Sequence, residues 1–347
     1  MDFSAELVKW YSENKRDLPW RHTTNVYIIW LSEVILQQTR VEQGLPYFNR
    51  FVEAYPTVND FAAADETEVL RLWQGLGYYS RGRNMLKTAR IVQREYGGKF
   101  PTKYDELIKL TGIGEYTAAA IASFAANEAR AVVDGNVNRV IARYFGIGEP
   151  INSTTGKKIF QTTANDLLNR KNPALHNQAM MEFGAMLCKP KNPACGICPV
   201  RTGCYAFTHN ATTALPVKIN KVKIKQRYFN YFLITDGDTI LMNKRAENDI
   251  WANMYDLPMI ETPAPFTVAE LLIIPDAVKY FGKDIKITGV SEFKKHVLTH
   301  QHLYIRFINL AIQSTAVMPN WVFIKVENLR KLPMPKPIFI FLDNFLN

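Results

Sequence analysis

Apolar residues recur at helical spacing through the first two thirds of the chain. Residues 9–17 predict the end of an amphipathic helix that Pro19 stops. A strongly apolar stretch at 27–39 and a shorter one at 104–110 repeat the same spacing. Another helix is predicted over 136–145. These segments indicate a mainly helical N-terminal region.

The pattern changes after the last cysteine, Cys204. Residues 216–227 carry five basic residues and no acidic one, which is typical of an extended linker that lies along a polyanion. Alternating, β-branched and aromatic runs follow at 228–235, 239–245 and 302–312. Such runs predict strands, so a separate α/β domain follows the helical region.

Composition describes an ordinary soluble protein with a basic balance. The 347 residues are 47% hydrophobic and 21% charged, enough for two domains with proper cores. No segment has the length of a membrane span, and the N-terminus lacks the pattern of a secretory signal, so we expect a cytoplasmic protein. A formal charge of +10 makes a polyanion the natural partner, although charge alone is a weak indicator.

A glycine turn followed by an alanine-rich helix stands at 111–126. Gly112 and Gly114 permit a sharp turn that leaves backbone N–H groups pointing outward at a helix start, an arrangement suited to phosphate. A dinucleotide fold is excluded, because a helical segment precedes the glycines and Thr117 replaces the third glycine. Two interpretations remain: a grip on the DNA backbone, or a packing corner between two helices.

Two carboxyl groups are candidates for acid–base chemistry. Glu33 interrupts the apolar helix at 27–39, where desolvation would keep it neutral, as a general acid requires. Asp134 precedes the helix at 136–145, where a helix N-cap would be ionised. A surface glutamate and a purely structural cap are the simpler alternatives. A neutral and an ionised carboxyl together suit cleavage of a glycosidic bond.

Several residues have the chemistry of base or phosphate contacts. Trp20 and Arg21 follow a proline, and the adjacent amides Gln37 and Gln38 can pair with base edges or fill a gap in a duplex. Tyr78 lies in a corner with arginines and glycines, where an aromatic ring can wedge between bases. Each of these features is also found in ordinary packing seams and loops.

The four cysteines of the chain lie within seventeen residues, spaced C-x6-C-x2-C-x5-C. Disulfides are not expected in the cytoplasm, so this cluster predicts a metal site. Structural zinc usually shows two C-x2-C pairs, whereas only one is present, and a [4Fe-4S] cluster fits the spacing better. The cluster has either a structural role, presenting a basic DNA-binding loop, or a redox role. The predicted ligands are Cys188, Cys195, Cys198 and Cys204.

Taken together, these motifs resemble one family, the adenine-DNA glycosylases called MutY within the endonuclease III superfamily. The resemblance covers most of the chain. It rests on the cysteine loop at 188–204 and on DLPWR (17–21), SEVILQQTRV (32–41), WQGLGYYSRGRN (73–84), LTGIGEYTAAAI (110–121), VVDGNVNRV (132–140) and NQAMMEFGAMLC (177–188).

The resemblance implies excision of adenine mispaired with 8-oxoguanine. By position, Glu33 matches the acid that protonates adenine N7, and Asp134 the carboxylate that stabilises the oxocarbenium charge. Tyr116 and Asn136 match assisting residues, and Glu182 a residue that helps to hold the flipped adenine. Lyase relatives have lysine where this chain has Tyr116, and a phenol cannot form a Schiff base. We therefore expect a monofunctional glycosylase.

The same resemblance assigns roles in reading the opposite base. Gln37 and Tyr78 match the residues that fill and wedge the gap left by the flipped adenine. Residues 244–261 resemble a Nudix-like recognition module, but the glutamate-rich magnesium motif of Nudix hydrolases is missing. Within this module Leu298, Thr299 and His300 match a loop, usually Phe-Ser-His, that reads 8-oxoguanine.

The sequence therefore predicts three parts. They are a helix-hairpin-helix glycosylase region at 1–210, a basic linker at 211–227, and a Nudix-like recognition domain at 228–347. The expected partner is duplex DNA with A opposite 8-oxoguanine or G, bound by a monomer away from any membrane. The alternatives are a glycosylase of the same fold for another lesion, and a non-catalytic iron-sulfur DNA-binding protein.

Overall fold

The computed structural model describes residues 2–219, 224–247, 249–282, 285–312 and 318–346. The chain forms two compact units, one of residues 1–63 with 84–220 and the other of residues 64–83 with 221–347. In chain order the helices are Phe3–Asn14 (α1), Val26–Ile35 (α2), Val41–Ala54 (α3), Val58–Ala63 (α4), Glu66–Trp73 (α5), Ser80–Glu95 (α6), Tyr104–Leu107 (α7), Glu115–Ala126 (α8), Gly135–Phe145 (α9), Thr154–Leu167 (α10), Pro173–Met186 (α11), Tyr205–Thr208 (α12), Val268–Leu272 (α13), Pro275–Phe281 (α14), Val326–Leu329 (α15) and Lys336–Leu346 (α16).

The first unit is built around α8 and α11. Helix α8 packs against α2 and α11, and α11 packs in turn against α1 and α9. Thr117, Ala118, Ala119 and Ala120 are buried in α8, and these small side chains allow the neighbouring helices to approach closely. This arrangement brings the end of α2, the start of α8 and the start of α9 into one region of the unit.

Helix α2 ends earlier than its sequence pattern predicts. It stops at Ile35, and the apolar pattern that continues to Thr39 falls in a turn, where Gln38 has a φ of +56°. The turn lets α3 cross close to the end of α2, since a Cβ at Gly44 would lie 2.6 Å from Cδ2 of Leu36. The predicted helix was thus too long because the periodicity did not reveal this crossing.

The second unit carries a mixed sheet. Its strands are Lys225–Asp236 (β1), Thr239–Lys244 (β2), Tyr255–Asp256 (β3), Met259–Thr262 (β4), Ile285–Val290 (β5), Lys294–Val297 (β6), Gln301–Ile312 (β7) and Trp321–Lys325 (β8). The main path runs β3-β2-β1-β7-β5; β4 pairs with β1, β6 with β7 and β8 with β2. Strands β1 and β7 are parallel and the other pairs antiparallel, and α13 and α14 cover an apolar part of the sheet.

The predicted order, a mainly helical region followed by an α/β domain, agrees with this architecture. The grouping of residues 64–83 differs from the prediction. The sequence predicts that they belong to the helical region, whereas in the structure they group with the sheet. Asn253 donates to Oε1 of Glu66 at 2.7 Å, and Arg83 donates to the carbonyl oxygen of Ala252 at 2.9 Å. The predicted linker includes residues 220–223, which lie outside the described residues. Over the described ranges, no helix combines the length and apolarity required to cross a bilayer.

Candidate active site

The glycine turn before α8 has the geometry of a tight hairpin. Gly112 has a φ of +76°, and a Cβ there would lie 2.8 Å from Cβ of Asn84, so only glycine fits without strain. Gly114 has a φ of −89° and serves instead as the N-cap of α8, without a side-chain hydrogen bond. Only the first glycine therefore uses its conformational freedom, and the hairpin leads directly into α8.

Glu33 lies on the last turn of α2 and is only 9% exposed. Its Oε2 accepts a hydrogen bond of 2.8 Å from the hydroxyl of Tyr116. Burial raises the pKa of Glu33 to about 7, with the charge of Asp134 acting in the same direction and the bond from Tyr116 acting against it. The surface-glutamate alternative is excluded, and the carboxyl group is partly protonated near neutral pH, as a general acid has to be.

Tyr116 is the second residue of α8, and its position explains how it meets Glu33. Burial raises the pKa of Tyr116 well above its usual value, and the charge of Glu33 adds to this effect. The phenol therefore keeps its proton and acts as the donor in the bond to Glu33. Because α2 and α8 pack together, a local contact joins residues 83 positions apart in the chain.

Asp134 is the N-cap of α9, as the sequence predicts. Its Oδ1 accepts from the backbone N–H of Asn136 at 2.8 Å and of Val137 at 2.7 Å, while its Oδ2 accepts from Nδ2 of Asn136 at 2.7 Å. Burial raises the pKa of Asp134 above its ordinary value, although each of these hydrogen bonds favours the ionised form. The carboxylate is held rigidly by donors that belong to its own helix.

Arg139 connects this carboxylate to the cysteine loop. Its Nη2 donates to Oδ1 of Asn136 at 2.9 Å and to the carbonyl oxygen of Gly184 at 2.7 Å. Its Nε donates to the carbonyl oxygen of Cys188 at 2.7 Å. A continuous set of hydrogen bonds therefore runs from Asp134 through Asn136 and Arg139 to the start of the cysteine loop.

Glu182 is 1% exposed and is bound by two arginines. Arg16 donates its backbone N–H and its side chain, and Arg21 donates Nη1 and Nη2, with the nearest atoms 2.7 Å apart. Burial alone would raise the pKa of Glu182, but the hydrogen bonds from Arg21 and Arg16 outweigh it and lower the pKa to about 2. Glu182 therefore stays ionised and fixes both guanidinium groups.

A cavity of about 930 Å³ brings these groups together. Its lining includes both carboxyl groups, Glu33 and Asp134, which the sequence placed a hundred residues apart. A flipped nucleotide requires a pocket of a few hundred Å³, so this volume is sufficient. The other predicted site residues in its lining are Trp20, Arg21, Gln37, Gln38, Gly112, Gly114, Tyr116, Asn136 and Glu182.

Three predicted site residues belong to the second unit. Tyr78 has a φ of +49° and is 42% exposed, in the turn between α5 and α6. Thr299 and His300 form the exposed turn of the β6–β7 hairpin. The hydroxyl groups of Tyr78 and Thr299 are hydrogen-bonded to each other. The predicted wedge and the predicted reading loop therefore lie side by side.

The four cysteines line one small apolar recess, together with Arg143 and Tyr144 of α9. Burial raises the pKa of the Cys198 thiol to about 11, and the other cysteines add to the rise, so four thiolates here require positive charge. Among the described residues, no three His, Cys, Asp or Glu side chains are placed to hold a single metal ion. Four cysteine thiols around one recess are the donor set that a [4Fe-4S] cluster requires.

Comparisons with known proteins agree with this architecture. Residues 31–165 match the family model of HhH-GPD superfamily base excision DNA repair proteins, residues 188–204 the iron-sulfur binding domain of endonuclease III, and residues 230–344 the NUDIX domain. A solved structure of a thermostable thymine-DNA glycosylase is 29% identical, with a TM-score of 0.56, and covers 60% of this chain and 95% of its own. A trapped endonuclease III–DNA covalent intermediate, 24% identical with a TM-score of 0.53, covers 60% and 94% and shows the same fold.

The fold and site define a DNA glycosylase of base excision repair that carries a [4Fe-4S] cluster. An adenine DNA glycosylase of Buchnera aphidicola subsp. Baizongia pistaciae is 33% identical over 341 residues, which span 97% of this chain and 94% of that protein. The chain belongs to the adenine DNA glycosylase family.

Sequence reasoning missed two residues of the site. Arg16 was not singled out, although it stands in the basic segment just before the DLPWR motif. Arg139 follows Asn136 by three positions, a spacing that places both on one face of α9. That spacing was a usable signal, whereas the pairing of Arg16 with Glu182 depends on how α1 packs against α11.

Proposed function

We propose that this enzyme removes adenine opposite 8-oxoguanine in duplex DNA and does not cleave the strand. The observation that carries the proposal is the position of Glu33 and Asp134 in one cavity. Burial raises the pKa of the first carboxyl group to about 7; it also raises the pKa of the second, where three hydrogen bonds oppose the rise and favour the ionised form. These are the acid and the charge stabiliser that glycosidic cleavage requires.

In the first step Glu33 acts as general acid. It gives its proton to N7 of the flipped adenine, and the electron pair of the glycosidic bond moves to N9, so that the base leaves without a full negative charge. Tyr116 holds Glu33 in place through its hydrogen bond. Because Tyr116 stands where a Schiff-base lysine would be required, β-elimination is not expected.

In the second step Asp134 stabilises the positive charge that develops on the deoxyribose, and it forms a transient covalent bond to C1′. Asn136 orients the Asp134 carboxylate through its 2.7 Å hydrogen bond. Water then attacks C1′, the bond between C1′ and Asp134 breaks to give back the Asp134 carboxylate, and the proton of the water goes to the Glu33 carboxylate, which restores the starting state of the enzyme.

Recognition is divided between the two units. Glu182, Trp20 and Arg21 line the part of the cavity that we assign to adenine, and the hairpin of Gly112 and Gly114 is assigned to a phosphate. We assign Gln37, Gln38 and Tyr78 to the gap in the duplex, and Thr299 with His300 to 8-oxoguanine. The hydrogen bond between the hydroxyl groups of Tyr78 and Thr299 supports the assignment of these two residues to neighbouring roles.

The cysteine loop has a structural role in this proposal. Cys188, Cys195, Cys198 and Cys204 would hold the [4Fe-4S] cluster, which would crosslink the loop and keep its basic residues in place. Arg143 supports this assignment, since its Nη1 lies 3.4 Å from Sγ of Cys188 and also donates to the carbonyl oxygen of Lys189 at 2.7 Å. We further propose that the enzyme acts as a cytoplasmic monomer, with helical catalytic and Nudix-like recognition domains.

A panel of duplexes tests the proposal. Duplexes with A opposite 8-oxoguanine, A opposite G, T opposite G and a normal pair are incubated with the protein and scored for alkali-labile sites. Excision of A, fastest opposite 8-oxoguanine and with no nicking before alkali, is expected. Excision of T would indicate a thymine glycosylase of the same fold, and inertness toward all four would indicate a non-catalytic DNA-binding protein. Strand nicking together with a protein–DNA complex that borohydride traps as a reduced Schiff base would refute the monofunctional mechanism.

A further inference from the structure

A second, much smaller recess lies directly behind Glu33. Its volume is about 50 Å³, and its polar lining comes from Glu33, Ser32, Arg21 and Gln178. Trp20, Arg21, Glu33 and Met181 also line the 930 Å³ cavity, so the recess adjoins the active site, and Asp134 lines the cavity but not the recess. The function described above does not use this space.

A third pocket, open to the surface, lies next to the recess. This pocket has a volume of about 320 Å³ and shares Arg21 and Gln178 with the recess. Lys15, Asp17 and His22 line it and are exposed. Gln178 therefore lines both the surface pocket and the recess next to Glu33.

The recess has room for water and offers it polar partners, although Trp20, Ile29, Phe124 and Met181 make much of the lining apolar. A buried water requires roughly 10–15 Å³ of such volume and two to four polar partners, so 50 Å³ holds about three molecules. The hydroxyl of Tyr11 donates to Oε1 of Gln178 at 2.8 Å. This bond fixes the orientation of the amide and leaves the N–H groups of Gln178 as the donors for water.

We propose that this recess is a water site and that Gln178 is a positioning residue, which holds water against Glu33 and keeps the acid in contact with solvent when a flipped base fills the active-site cavity. The inference rests on the proposed role of Glu33 as general acid. Without this water, Glu33 would exchange its proton with solvent only after DNA dissociates. With it, the protonation of Glu33 follows the solvent pH while DNA is bound.

The other groups around Glu33 stabilise its carboxylate only in part. Tyr116 of α8 donates to Glu33, Asp134 before α9 repels its charge, and Arg21 attracts it. Arg21 is already bound to Glu182, so much of its charge is compensated. Arg40 and Glu42, at the start of α3, line the main cavity and not the recess. In this proposal, water held by Gln178 joins the Tyr116 hydroxyl as a neutral source of stabilisation for the Glu33 carboxylate.

The test is Gln178→Met, which keeps the volume of the side chain and removes the amide. Single-turnover excision from pre-bound DNA is measured across pH. Because the active form is protonated, activity is lost as pH rises through the pKa of Glu33. Drying the recess disfavours the carboxylate, so the midpoint of this alkaline limb should move up by about half to one pH unit. The matched control is Gln161→Met on α10, which removes an amide that donates to the carbonyl oxygen of Ala131 and should leave the midpoint in place.

A purely structural role for Gln178 predicts a lower rate at every pH with the midpoint unchanged, and that result overturns the proposal. If Gln178→Met does not fold, Tyr11→Phe removes the orienting hydroxyl and should shift the midpoint in the same direction. A high-resolution crystal structure of the DNA complex should show ordered water within hydrogen-bond distance of both Glu33 and Gln178, and a dry recess would contradict the inference. Failure of the general-acid mechanism looks different: Glu33→Gln would stay active, or the wild-type profile would have no alkaline limb.

Discussion

The hydroxyl of Tyr116 lies 2.8 Å from Oε2 of Glu33, and both side chains are largely buried. Two effects meet in this pair. Removal from water raises the pKa of Glu33, and the hydrogen bond from the phenol lowers it, with burial the stronger effect. The result is an acid that is partly protonated at neutral pH and held in a fixed orientation.

Tyr116→Phe should move the alkaline limb of the excision rate to higher pH. Without the phenol the Glu33 carboxylate loses a donor, so its neutral form is favoured further and the active form persists to higher pH. The measurement is the single-turnover rate as a function of pH. The control is Tyr27→Phe on α2, which removes a buried hydroxyl that donates to the carbonyl oxygen of Tyr55 at the end of α3 and should leave the limb unchanged. A limb that moves downward in Tyr116→Phe would contradict this account.

Glu33→Gln should stabilise the fold at neutral and alkaline pH. In the unfolded chain Glu33 ionises near pH 4.5, but in the folded protein only near 7, so the wild type loses stability as pH rises through this window. The amide has no such loss, and the variant should gain on the order of 3 kcal/mol above pH 7 relative to pH 4. Denaturant unfolding at several pH values measures the difference. Exposed Glu13→Gln should follow the wild-type curve, and parallel curves for Glu33→Gln would mean that Glu33 is not desolvated.

Glu182→Gln should cost about 3 kcal/mol of stability at pH 7, because it leaves Arg16 and Arg21 with an uncompensated charge. The depressed pKa of Glu182 means that this contribution is complete above about pH 4.5 and is lost as pH falls toward 2. Thermal or denaturant unfolding between those values gives the test. Asp105→Asn, which breaks the exposed pair with Arg130, should change stability far less. Equal losses of stability in the two variants would mean that the ion pairs of Glu182 with Arg16 and Arg21 contribute no more than an exposed pair.

Arg139→Gln should impair catalysis and iron content together. The substitution removes donors to Asn136, Gly184 and the carbonyl oxygen of Cys188, so both Asp134 and the cysteine loop lose support. We expect roughly a 10- to 100-fold lower excision rate at saturating DNA, in the range found for residues that orient ligands, with a smaller fraction of cluster-loaded protein. Rates are normalised to iron content measured on the same samples. Exposed Arg170→Gln is the control. A normal excision rate per cluster-loaded molecule would mean that Arg139 supports only the cysteine loop and not the orientation of Asp134.

Local rules predicted much of the site, and long-range packing decided the rest. The cap at Asp134 followed from residue type before a helix, and the apolar surroundings of Glu33 indicated a shifted acid. The partner of that acid did not follow, because Tyr116 reaches it only through the packing of α2 on α8. For the same reason the binding of Glu182 by Arg16, 166 positions away, was not predicted. The grouping of residues 64–83 with the sheet likewise depends on contacts such as Asn253 with Glu66, which no periodicity reveals.

The single-turnover rate of adenine excision opposite 8-oxoguanine, measured across pH for the wild type and for Glu33→Gln, tests the central claim most directly. Our account predicts a wild-type rate that declines as pH rises through about 7, and a variant that binds the same duplex but is at least about 100-fold slower at every pH. A Glu33→Gln variant with the wild-type rate, or a wild-type rate that stays constant through this range, would contradict it.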